Sequence, residues 1–127
     1  MTVTLVLDTS AVLAYAKGSI AVGELLSIIT DDGDTVLIPA TCLAEAHRRL
    51  ADGEDRVLTI LSTIPCVELS PLLPEQSAKV GRAARNGGGV DAAHAALEAV
   101  AREAQVATHD VVAMSRLLPP DWPIIEV

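Results

Sequence analysis

Four acidic residues carry the most chemistry in this chain: Asp8 in LVLDTSAVLAY, Glu45 in PATCLAEAHRR, Asp91 in GGGVDAAHAALEA and Asp110 in VATHDVVAM. Asp8 and Asp110 follow short apolar runs that read as strands. In open α/β sheets, ligands bind beyond the carboxyl ends of the strands, near the point where strand order reverses. Carboxylates gathered at that edge repel one another by roughly 3 kcal/mol per pair at ~5 Å and an effective dielectric of ~20. A divalent cation relieves that repulsion, so the four acids point to a metal-dependent enzyme. Each acid also has an ordinary role open to it. Asp8 and Asp110 suit helix N-caps, and Asp91 suits a first helical turn, where the macrodipole favours negative charge. Glu45 stands three and four residues before Arg48 and Arg49, the spacing of an ion pair on a helix.

The elements that must position these side chains alternate strand with helix. Val3 to Leu7 is aliphatic on both faces, as a central parallel strand requires. Asp8-Thr9-Ser10 then caps a short helix, SAVLAYAK, broken at Gly18-Ser19. A second helix is expected from Ile20 to Ile29, a turn over TDDGD, and a strand from Thr35 to Ile38. Pro39 opens the helix that carries Glu45 and runs to about Asp52-Gly53. Further helices are expected over Glu54 to Thr63, Pro74 to Arg85, Asp91 to Gln105 and Asp110 to Leu118. Strands are expected over Val67 to Leu69, Val106 to Thr108 and Ile124 to Val127, with Asn86-Gly87-Gly88-Gly89 as a flexible joint. This alternation predicts a single domain over residues 1–127, a three-layer α/β/α sandwich around a mainly parallel sheet of four to five strands.

Bulk composition narrows the function less than the acids do. The 127 residues are half apolar yet contain no Phe, one Trp (Trp122) and one Tyr (Tyr15), so Leu, Val, Ile and Ala must fill the core. The formal net charge is −8. A protein binding nucleic acid mainly by neutralising phosphates is ordinarily basic. Either nucleic acid is not the ligand, or metal ions and a local arginine patch engage it. Arg48, Arg49, Arg82 and Arg85 are the candidates for phosphate contacts, each with a solvated helix face as its plain alternative. Cys42 and Cys66 lack metal-ligand spacing and read as buried reduced thiols. His94, one turn beyond Asp91, reads as a partly exposed polar residue, and His109 as a possible substrate contact. The N-terminus lacks a basic segment before its apolar run, and no stretch reaches the ~20 apolar residues of a membrane span. A cytoplasmic location without membrane contact is the expectation.

The segments LVLDTSAVLAY, PATCLAEA, VDAAHAALEA and ATHD, in this order over essentially the whole chain, resemble the PIN domain family. The likeness is greatest to the VapC-type toxins of bacterial toxin–antitoxin pairs. It implies a Mg²⁺- or Mn²⁺-dependent endoribonuclease with Asp8, Glu45, Asp91 and Asp110 as its catalytic acids. Asp8, Asp91 and Asp110 would hold the principal ion, and Glu45 would orient or deprotonate the attacking water or help hold a second ion. Ser10, Thr108, Arg48 and Arg49 would contact substrate. An RNA substrate, a cognate antitoxin and a homodimer are the implied partners. The chain departs from the family pattern at His109, where Asn is common, and at Val112, where a further acid often sits; a second metal position is thereby in doubt. An Asp-Thr pair after a strand also resembles the haloacid dehalogenase phosphatases. There, however, a second acid is expected where Ser10 stands, and a lysine in a context that neither Lys17 nor Lys79 has. A PIN-like module without catalysis and a non-toxin PIN ribonuclease of RNA processing are the other readings.

Overall fold

The computed structural model describes residues 2–127. Five strands, β1 (Val3–Leu7), β2 (Thr35–Pro39), β3 (Val67–Ser70), β4 (Gln105–Thr108) and β5 (Ile124–Glu126), form one sheet in the order β3-β2-β1-β4-β5. Every pairing is parallel. The helices are α1 (Thr9–Ala16), α2 (Ile20–Asp32), α3 (Ala40–Arg49), α4 (Arg56–Thr63), α5 (Ser77–Ala83), α6 (Gly89–Arg102) and α7 (Val111–Ser115).

The apolar runs of β1 and β2 are buried because helices cover both faces of the sheet. Leu5, Leu7, Val36, Ile38 and Ala107 pack to one side with Val12 of α1, Leu26 of α2 and Leu58 of α4. Val6, Leu37 and Val106 pack to the other with Ala95 and Ala99 of α6 and Met114 of α7. Small alanines on α6 let that helix lie close to the sheet, so aliphatic residues suffice to fill both layers. The result is the α/β/α sandwich expected from the alternation, with an all-parallel sheet.

The chain steps outward from β1 to β2 to β3, then returns to add β4 and β5 on the other side of β1. Strand order therefore reverses between β1 and β4, and their carboxyl ends lie side by side with Val6 opposite Val106 and Leu7 opposite Ala107. Asp8 follows one strand directly, and its N–H continues the ladder to the Ala107 carbonyl. Asp110 lies two residues beyond the other strand.

Several boundaries differ from those expected. Helix α2 continues to Asp32, because Gly33 at φ 73° supplies the left-handed cap that ends it. The span Pro74 to Arg85 is a 3₁₀ turn, the short helix α5 and a second 3₁₀ turn over Ala84–Asn86. Helix α3 stops at Arg49, before the expected Asp52-Gly53. No single helix among the described residues is long and apolar enough to cross a membrane.

Candidate functional site

Asp8 is the N-cap of α1, and its Oδ1 accepts from the Ala11 N–H at 2.9 Å and from the Ser10 hydroxyl at 2.7 Å. Only 6 % of the residue is exposed. Burial pushes its carboxyl above the ordinary aspartate range, against the opposing pull of hydrogen bonds from Thr108, Ser10 and the backbone. Ionised, Asp8 is therefore an anion under strain from desolvation, which a nearby cation would relieve.

Ser10 Oγ is the junction between the two strand ends. It donates to Asp8, lies 3.2 Å from Thr108 Oγ1, and accepts from the His109 N–H at 2.8 Å. With its own proton on Asp8, Ser10 does not donate to Thr108, and the single Thr108 proton goes either to Ser10 Oγ or to Asp8. Thr108 Oγ1 also accepts from the Asp110 N–H. The two hydroxyls expected to touch substrate are thus engaged within the protein, where they position Asp8 and fix the turn that presents Asp110.

Asp91 comes from the opposite layer. It lies in the first turn of α6, and its Oδ2 accepts from the Thr9 hydroxyl at 2.5 Å. That is the short range of a charge-assisted O–H···O⁻ bond. Thr9 is the site residue that sequence reasoning passed over, having read it only as one of three capping candidates. Glycines set the approach: Gly88 and Gly89 both hold φ at +80° ahead of Asp91. A Cβ on Gly88 would come within 3.0 Å of the Ala92 Cβ, and one on Gly89 within 3.0 Å of Asp91 Oδ1. Asp110 caps α7 through the Ala113 N–H at 3.0 Å, using Oδ1. Asp91 and Asp110 thus each have one oxygen tied to the protein and a second without a donor among the described residues.

Asp8, Asp91 and Asp110 line one cavity of about 220 Å³, together with Ser10, Thr108 and Arg49. Glu45 does not reach it. Glu45 lines a neighbouring cavity that shares Asp91. Its carboxylate is taken by Arg48, through Nε at 2.8 Å and Nη2 at 2.6 Å, and by Arg49 Nε at 2.7 Å. Hydrogen bonds from these guanidiniums hold its pKa down to about 2. Glu45 in this arrangement is a clamp on two arginines and a weak base. Arg82 and Arg85 line neither cavity.

The donor set of the cavity is carboxylate and hydroxyl oxygen, which suits Mg²⁺ or Mn²⁺ better than softer metals. Among the described residues no three His, Cys, Asp or Glu side chains stand close enough together to grip an ion directly. Mg²⁺ commonly keeps several of its waters and binds through one or two carboxylates. The wider spacing matches an ion held partly through water, or carboxylates that draw inward around a cation. Cys42 lies beneath Asp91, with its thiol donating to the Asp91 carbonyl at 3.2 Å. Burial pushes this thiol up to about 12, so it stays protonated. Cys66 is buried and unpaired as well.

His94 departs from its expected exposure. It is fully buried, with Nδ1 2.7 Å from the Thr41 hydroxyl and Nε2 3.5 Å from Glu98 Oε1. Desolvation holds its pKa below the usual histidine value. It braces α6 against α3 and reaches neither cavity. His109 is exposed, and its Nδ1 lies 3.1 Å from the Val127 carbonyl.

No family model matches this chain, and no curated protein matches it in sequence.

Proposed function

We propose that this protein is a metal-dependent endoribonuclease that hydrolyses RNA phosphodiester bonds, in the manner of the toxin of a toxin–antitoxin pair. The observation that carries the reading is the convergence of Asp8, Asp91 and Asp110 on one cavity at the strand-order reversal. Three carboxylates from three segments, one of them buried, are an electrostatic liability without a cation and a ready seat for one. Asp8, Asp91 and Asp110 would hold Mg²⁺ or Mn²⁺. The ion would supply an acidified water and compensate charge on the phosphate oxygens.

The chain's own groups divide the remaining work. Thr9 and Ser10 hold Asp91 and Asp8 in place. Arg49, which lines the cavity, keeps its Nη groups without an acceptor among the described residues and could take a phosphate oxygen. Arg48 can do the same in the adjoining cavity. Glu45 holds both arginines, and can act as a base or second-ion ligand only after releasing them.

The test is direct. Purified protein is incubated with total cellular RNA with and without Mg²⁺, and new ends are sequenced. Mg²⁺-dependent ends that vanish in Asp8→Asn, with folding retained, support the reading; undiminished cleavage by Asp8→Asn refutes it. One observation favours a second reading, a non-catalytic PIN-like interaction module: the acids are not close enough for direct three-ligand coordination. Calorimetric titration with Mn²⁺ separates the two, because a module without a metal site binds none at millimolar concentration. The toxin assignment, with a homodimer and a basic antitoxin segment entering the acidic cleft, predicts that co-expressing the antitoxin relieves growth arrest. A non-toxin PIN ribonuclease would cause no arrest.

A further inference from the structure

A larger cavity, of about 530 Å³, opens beside the carboxylate cavity and shares Ser10 and Arg49 with it. One wall is apolar, built from Leu13 and Ala14 of α1, and Lys17 from the turn after α1 adds a cation. The exposed imidazole of His109 forms another part of the lining. The chain has only nine Lys and Arg residues against seventeen Asp and Glu, and two of those nine face this one space. Lys17 forms no ion pair among the described residues. Arg49 spends only its Nε on Glu45. Lys17, free of any ion pair among the described residues, and Arg49, which shares the one Glu45 charge with Arg48, set net positive charge beside an apolar slot, and this calls for a ligand that is anionic at one end and flat and apolar at the other.

We propose that this cavity seats the nucleotide adjoining the scissile phosphate of a single-stranded RNA, with the base between α1 and His109 and its phosphate between Lys17 and Arg49. The proposal rests on the nuclease reading for its orientation, since the shared residues Ser10 and Arg49 would bridge consecutive nucleotides across the two cavities. The volume falls within the ~300–1,000 Å³ of small-ligand sites. Single-stranded RNA is read by stacking unpaired bases on rings, histidine included, while cations track its backbone. Ala14 and Leu13 would set how large a base fits, so the cavity would fix base preference beside the cut.

The test separates binding from cleavage. A fluorescently labelled single-stranded RNA oligonucleotide is titrated by anisotropy in metal-free buffer with the full chain, with Lys17→Ala and with Ala14→Leu, whose added bulk enters the slot. Circular dichroism checks that each variant is folded. Affinity should fall at least about fivefold in both variants, and the salt dependence in Lys17→Ala should drop by about one counterion. In parallel, ends produced with Mg²⁺ are sequenced, and Ala14→Leu should shift the base preferred next to the cut. Binding that both folded variants leave unchanged overturns the proposal and gives the cavity to a protein partner; no binding by the unaltered chain overturns it as well. Variant-sensitive binding without any Mg²⁺-dependent cleavage upholds the nucleotide seat and defeats the nuclease reading alone.

Discussion

Thr9 and Asp91, 82 positions apart, meet through a single hydroxyl-to-carboxylate hydrogen bond of 2.5 Å that ties the start of α1 to the first turn of α6. Thr9 is only 4 % exposed. Thr9→Val keeps the shape and removes the donor. Stability should fall by about 1–3 kcal/mol in urea unfolding, as for loss of a bond to a charged group. Mn²⁺ affinity should fall about 10–100-fold by calorimetry, as when the partner of a metal-binding carboxylate is lost. Unchanged affinity would mean that Asp91 needs no such support.

Asp8 predicts an inverse relation between stability and activity. Because burial raises its folded pKa above the ordinary aspartate value, the ionised form destabilises the fold at neutral pH. The sign follows: the protonated acid is favoured in the folded state, and that stabilisation is lost as pH rises through the folded pKa. Asparagine is an equally good N-cap. Asp8→Asn should therefore melt a few degrees higher at neutral pH without divalent ions, and the gap should close as pH approaches about 4, the ordinary aspartate value. Added Mg²⁺ should raise the melting temperature of the unaltered chain but not of the variant. A lower melting point for Asp8→Asn at neutral pH would contradict the desolvation argument.

Glu45→Gln discriminates between two roles. A general base contributes about 10²–10⁴-fold to kcat, but a carboxylate held down to about 2 by two arginines has little affinity for a proton at neutrality. As a clamp, Glu45 should when changed to Gln raise KM for RNA several-fold, with kcat reduced by less than about tenfold. A collapse of kcat at unchanged KM would show that Glu45 leaves its arginines during catalysis.

His94 gives a separate pH signature. Its folded pKa is depressed by desolvation, so the unfolded chain binds the proton more readily. The stability it contributes is present above the ordinary histidine value of about 6.5 and is lost as pH falls toward the folded value. Thermal melts should show this decline, and His94→Gln should flatten it. A decline equally steep in the variant would assign it to another group.

Much of the fold was legible because the strand signal was unambiguous. Runs such as VTLVL and TVLIP are apolar but for one threonine each, and only a sheet covered on both faces buries such runs almost completely. The Glu45 ion pairs follow from spacing alone, and both caps, Asp8 and Asp110, are where strand meets helix. What stayed hidden depends on distance in space. Nothing local distinguishes Thr9, whose partner lies in another layer, from any capping threonine. His94 was misread because alanines surround it on α6, and their small size, which reads as helix propensity, also lets the helix sink until the imidazole is enclosed. Its pairing with Glu98 one turn later was the available clue. The separation of Glu45 from the other three acids could not be seen, since side-chain reach across α3 decides it.

The strand order has a consequence for synthesis. The neighbour that completes the site beside β1 is β4, where Leu5 faces Gln105, so the first acid to leave the ribosome waits for almost the last. Any nascent or interrupted chain that stops short of that pairing lacks Asp110, Thr108 and the floor between them. If the proposed nuclease reading holds, a half-made copy would lack activity through topology alone.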